Sequence, residues 1–347
     1  MRIFLITAMV LCFLALPVSA TEYTAPVAPE SAQPYMPAEQ ESFAEGLWFI
    51  IKNALVIVRP EIINALEICF RVIPVVLLVS VMDTITSISK NTIQLTAAVV
   101  IGILLMSPLN SMIQIGRSTI IELTDYGKLL LPIMTTALAT QGGFTSSAAI
   151  YTGTVLFNTL LSTIITKLII PALYIYFCIS IANSALQQDI LKRIKKFIKW
   201  LMTWSLKIIL YVFTGYISIT GIISGSVDAS TLKTAKLTIS GVVPVVGNIL
   251  SDATESVIVS AGIMKNSIGI YGIFAMIAIC IEPFILIGTR YMLLKLCAAV
   301  CNIFGYKPAV SLIEDFSVGM GFILAMTGAN CVMLLISVVC FLRGIGL

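Results

Sequence analysis

The chain has 347 residues, of which 59% are hydrophobic and only 11% charged, and its formal net charge is +4. A soluble domain carries about 25% charged residues, so this composition points to a membrane protein. Histidine is absent, which removes the usual metal ligand, the usual neutral-pH base and every Ser-His-Asp or Cys-His catalytic set.

The N-terminus has the layout of an export signal. Arg2 precedes an apolar run, Ile3 to Leu16, and Pro17-Val18-Ser19-Ala20 closes it with small residues. The run is short for a bilayer span, and the expectation is a signal peptide over 1–20 cleaved near Ala20, with an uncleaved anchor as the alternative. Residues 21–46 are rich in proline and glutamate and contain no Lys or Arg. They read as an extended, flexible, extracytoplasmic segment. Residues 47–66 have apolar positions at helical spacing and read as an interfacial amphipathic helix, or as a first helix packed on the bundle.

The remainder, 67–347, reads as a polytopic membrane domain of seven to nine spans. Candidates are 72–88, 95–109, the short Pro132-containing 127–139, 146–165, 168–186, 206–223, 241–263, 268–288 and 318–342, with 292–304 short and interfacial. Only Thr166-Lys167 separates 146–165 from 168–186, which implies a tight hairpin or one broken helix. Six of the 21 basic residues lie between Lys192 and Lys207. The loop 188–203 is therefore expected in the cytoplasm, with Lys192, Arg193, Lys195, Lys196 and Lys199 as a topology or lipid anchor. Counting spans from an outer N-terminus puts this loop inside if 127–139 crosses; otherwise the signal is retained or 146–186 crosses once. The same count puts Arg343 inside and Arg290 and Lys295 outside.

Two Pro-interrupted segments carry the candidate pathway residues. One contains Pro132; the other runs from Ser240 to Glu255 and holds Gly241, Pro244, Gly247, Asp252 and Glu255. Broken backbone at membrane depth must line a cavity or be buried in protein. Asp252 and Glu255 share a helix face, and the alternative for them is a wet surface helix. Glu282, between apolar residues and before Pro283, is expected inside the bundle, paired with Arg290 or lining a path. Gly215, Gly319, Gly321 and Gly328 favour close helix packing, with contacts in a homo-oligomer as the alternative. No phosphate-binding loop is present, and no cofactor, metal or nucleic-acid site is expected.

The run from Ser240 to Glu255, followed by Gly269-Ile270-Tyr271-Gly272, resembles the stage III sporulation protein AE family, and the likeness extends across the signal peptide, the outer segment, the Lys-rich loop and the last span. The resemblance implies an all-α membrane bundle, not an enzyme, in the mother-cell membrane around the forespore. It implies a component of a channel or secretion complex joining the two cells, with other membrane subunits and a separate ATPase as partners, supporting late forespore gene expression. The alternatives are an independent secondary transporter coupled to an ion through intramembrane acids, and an inert membrane scaffold.

Overall fold

The computed structural model describes residues 25–37, 43–85, 90–140, 144–219 and 267–346. They form an α-helical bundle: α1 (Phe43–Ile85), α2 (Lys90–Thr140), α3 (Phe144–Ile164), a π turn (Ile165–Ile169), α4 (Ile170–Leu186), α5 (Asp189–Ile219), α6 (Ser267–Asn302) and α7 (Lys307–Gly346). Among the described residues, six helical stretches are long and apolar enough to cross a membrane, α3 and α4 counting together. An all-α solution follows from the solvent, since backbone groups in hydrocarbon must be satisfied within their own helix.

Several elements separated by hydropathy prove continuous. Residues 47–66 run unbroken into 72–85 as α1. The candidates 95–109 and 127–139 are two parts of α2, with no reversal between them. The connecting stretch carries Asn110, Gln114, Arg117, Glu122 and Asp125, yet Ile113, Ile120 and Leu123 are fully buried. The stretch is an amphipathic helix whose polar side looks outward. Residues 146–186 form a single helix interrupted by the π turn at Ile165–Ile169, the broken-helix alternative rather than the hairpin. The stretch 292–304 continues 268–288 as α6.

α7 is the axis of the bundle: 89% of its most apolar window is buried, against 28–56% for the other spans. Most of the large side chains along it are enclosed, including Phe316, Phe322 and Phe341. It runs parallel to α2, where a Cβ added at Gly116 or Gly127 would lie 2.7 Å from Ile323 or 2.9 Å from Leu334. Such close approach is the role of small residues between membrane helices. Thr154 of α3 donates to Ser337 of α7 at 2.8 Å, and Asn330 of α7 donates to the Ile120 carbonyl at 3.2 Å.

Contacts fix the direction of every helix. α1 and α6 are parallel: Gly46 abuts Phe274, Glu61 pairs with Arg290, and Ser80 donates to the Phe304 carbonyl. α6 turns into α7 at Gly305, which has a positive φ of 77°, a backbone state that glycine adopts without strain. Ser184 at the end of α4 donates to the Pro308 carbonyl, and Lys195 near the start of α5 reaches Asp315. One end of the bundle thus gathers the ends of α1, α4 and α6 with the starts of α5 and α7; it is the basic end. The opposite end holds the end of α5 and the start of α6, with Leu342 packed on Gly269.

This geometry changes which candidates count as separate spans. Joining 95–109 to 127–139 removes one crossing and joining 146–165 to 168–186 removes another, so the basic loop keeps its side relative to the start of α1. Arg290 and Lys295 lie toward the basic end, whereas Arg343 lies at the opposite one, each the reverse of the expectation. The candidates around 241–255 lie outside the described residues.

Candidate functional site

At the end opposite the basic loop, the proline-rich segment is docked rather than free. Residues 25–37 contain one turn of 3-10 helix, Gln33–Tyr35, nucleated by Pro34 at its start. Ala28, Ala32 and Tyr35 are buried. The segment straps together three helices. Ser31 donates to Glu122 of α2, Asn53 of α1 donates to the Pro34 carbonyl at 3.4 Å, and the Ala28 amide donates to the Tyr271 hydroxyl of α6 at 3.4 Å. The expectation of a flexible tail fails here because its alanines fit between helices and its tyrosine finds an acceptor.

That acceptor is Glu282. The Tyr35 hydroxyl donates to its Oε2 at 3.2 Å, and burial, followed by the Glu282 charge, pushes the Tyr35 pKa up to about 12. Tyr35 is therefore a neutral donor throughout the physiological range. Glu282 is half-buried, and its partner among the described residues is this phenol, not Arg290. Arg290 instead donates through Nε to Glu61 Oε1 at 2.6 Å, with the two side chains 15% and 4% exposed. An isolated charge at that depth would be expelled, so the pair is held by mutual compensation.

Near the basic end lies a second buried pair. Lys195 Nζ meets Asp315 Oδ2 of α7 at 2.6 Å, and the Tyr176 hydroxyl of α4 donates to the other carboxylate oxygen at 3.1 Å. Lys195 thus turns inward to tie α5 to the axis helix. Lys192, Arg193, Lys196 and Lys199 remain exposed.

Pro132 is exposed, and α2 continues through it to Thr140. The helical backbone is not interrupted there. Gly241, Pro244, Gly247, Asp252 and Glu255 lie outside the described residues. Sequence reasoning missed Glu61, Tyr35, Tyr176 and Asp315. The signal available was the presence of acids inside apolar windows, at Glu61 in α1 and Asp315 in α7. Among the described residues no three His, Cys, Asp or Glu side chains are placed to hold a metal ion.

α1 and α2, at 43 and 51 residues, are about 65 Å and 77 Å long at ~1.5 Å per residue, more than twice a hydrocarbon core of about 30 Å. Their halves beside the strap carry exposed Lys52, Arg59, Arg117, Asp125 and Lys128. Such a charged surface belongs in water rather than in acyl chains.

A polytopic helical bundle, with an axis helix, two buried ion pairs and an N-terminal strap across one charged end, is the architecture of an integral membrane component. The chain belongs to the stage III sporulation protein AE family, whose model matches residues 35–344. It is 26% identical over 243 residues to the stage III sporulation protein AE of Bacillus subtilis (strain 168), a match covering 69% of this chain and 61% of that protein. No solved structure matches it.

Proposed function

We propose that this chain is a non-enzymatic membrane subunit of the channel or secretion complex linking mother cell and forespore, and that it supports late forespore gene expression. The observation that carries this reading is membership of the stage III sporulation family over residues 35–344, in a chain whose described residues form a multi-pass bundle. The protein works in the mother-cell membrane around the forespore. Energy comes from a separate ATPase subunit, in keeping with a sequence that has no phosphate-binding loop. The export signal and the positive-inside rule support an extracytoplasmic strap end and a cytoplasmic basic end. The strap and the charged halves of α1 and α2 then project into the space between the two membranes, where other subunits dock.

Co-isolation tests this reading. Tagged protein, gently solubilised from sporulating cells, is expected to bring down the ATPase subunit and other membrane components of the complex. Isolation as a single species would contradict it. A second reading, an independent ion-coupled transporter, is favoured by one feature: half-buried Glu282 accepts from a neutral hydrogen-bond partner, Tyr35. It predicts flux from the purified chain in liposomes that Glu282→Gln abolishes.

A further inference from the structure

We propose that the outward face of the first half of α5 is a binding surface for anionic phospholipid headgroups. The inference goes beyond the platform reading and holds independently of it. α5 packs on the bundle through Ile198, Met202, Leu206, Ile209 and Phe213, all buried. At ~100° per residue, these positions define one side of the helix, and the opposite side carries Phe197, Trp200, Trp204, Ile208 and Tyr211. Phe197, Trp200 and Trp204 are exposed by 58%, 52% and 52%, a degree unusual for rings of this size. They are also ordered among themselves. Phe197 and Trp200 stack with centroids 5.9 Å apart, and Trp200 and Trp204 with centroids 5.7 Å apart.

Beside this ladder runs a basic flank. Lys192, Lys196 and Lys199 lie on one edge of the rings and are exposed, with Arg193 close to the ring face itself. Asp189 neutralises part of Lys192, at 3.1 Å, and Lys195 is withdrawn to Asp315. That division is informative. Lys195 turns in to the axis helix, and Arg193, Lys196 and Lys199 make no ion pair among the described residues. Lys307, at the start of α7, adds an exposed cation at the same end.

The ladder is continuous with an apolar stripe through Ile208, Tyr211 and Val212, with half-buried Lys207 between the stripe and the basic flank. Cations at headgroup level, aromatic rings just beneath and aliphatic surface below match the depth profile of one leaflet. The occupant is therefore an anionic phospholipid.

The test uses the full-length protein in nanodiscs. Trp48→Phe leaves Trp200 and Trp204 as the only indoles, because the chain has three tryptophans. Brominated phosphatidylglycerol, titrated into phosphatidylcholine discs, is expected to quench their emission at mole fractions at which brominated phosphatidylcholine does not. Replacing Lys192, Lys196 and Lys199 together by Gln should weaken that preference by roughly a hundredfold, about fivefold per lysine. High salt should erase it in the protein with all its lysines, which keeps the test decisive should the triple variant fold poorly. Equal quenching by the two lipids would mean an ordinary lipid-facing helix and would overturn the proposal. An unchanged preference in the triple variant would overturn it too. No quenching by either lipid would mean that the face does not meet lipid at all and would likewise overturn the proposal.

Discussion

Tyr35 and Glu282 are 247 positions apart in sequence, and the phenol of the first donates to the carboxylate of the second at 3.2 Å. The contact joins a proline-rich segment, read from sequence as a loose tail, to the one acid that sequence placed inside the bundle. It makes the strap part of the fold.

Tyr35→Phe removes the donor and keeps the ring. A hydrogen bond to a charged group contributes about 1.5–3 kcal/mol, so the strap should loosen while the helices persist. Limited proteolysis is expected to cut within 25–37 several times faster in the variant, with no change in the helical circular dichroism signal. Glu282→Gln keeps an acceptor and should give a smaller effect.

The same contact sets a pH response. The Tyr35 pKa is raised from 10.0 to about 12 in the folded protein. Its contribution is fully present below pH 10 and is lost as pH rises through about 12. Protection of the strap from protease should be flat from pH 6 to 9 and decline above 10. A decline near neutrality would show that another group controls docking.

The two ion pairs should differ sharply from the surface charges. Removing one partner of a buried pair costs about 3–5 kcal/mol. Glu61→Ala, Arg290→Ala and Lys195→Ala should each lower the thermal midpoint in detergent by many degrees. Lys196→Ala, one residue from Lys195 but exposed, should stay within about 0.5 kcal/mol of the parent. Replacing Glu61 and Arg290 together by Leu and Met should recover most of the loss.

Gly319 and Gly215 make a contrasting pair. A Cβ at Gly319 would fall within the Phe177 ring, whereas one at Gly215 meets nothing within 4 Å. Gly319→Ala should destabilise by about 1–3 kcal/mol through overpacking. Gly215→Ala should stabilise by about 0.8–1 kcal/mol, the helix-propensity difference. Thermal midpoints of the two variants check both signs; a loss at Gly215 would indicate a contact with a second copy.

Fold class and membrane residence were legible because apolar runs and low charge are properties of composition. Helix boundaries were not. Hydropathy averages around a helix, so the amphipathic stretch between Leu109 and Gly127 reads as a break, although Ile113, Ile120 and Leu123 hold it on the bundle. The partner of Glu282 was illegible for a different reason. Arg290, two turns along the same helix, is the natural local guess, but Glu61 of the parallel α1 claims it, and no local pattern encodes which helix lies alongside. The inward turn of Lys195 is likewise set by Asp315, 120 residues away.

The central claim is a role in the mother cell–forespore complex, and deletion of the gene in the sporulating source organism tests it most directly, with a late forespore reporter as the readout. The account predicts that engulfment completes, the late reporter stays silent and forespores collapse, with rescue by the intact gene. Normal late forespore expression in the deletion strain would contradict it.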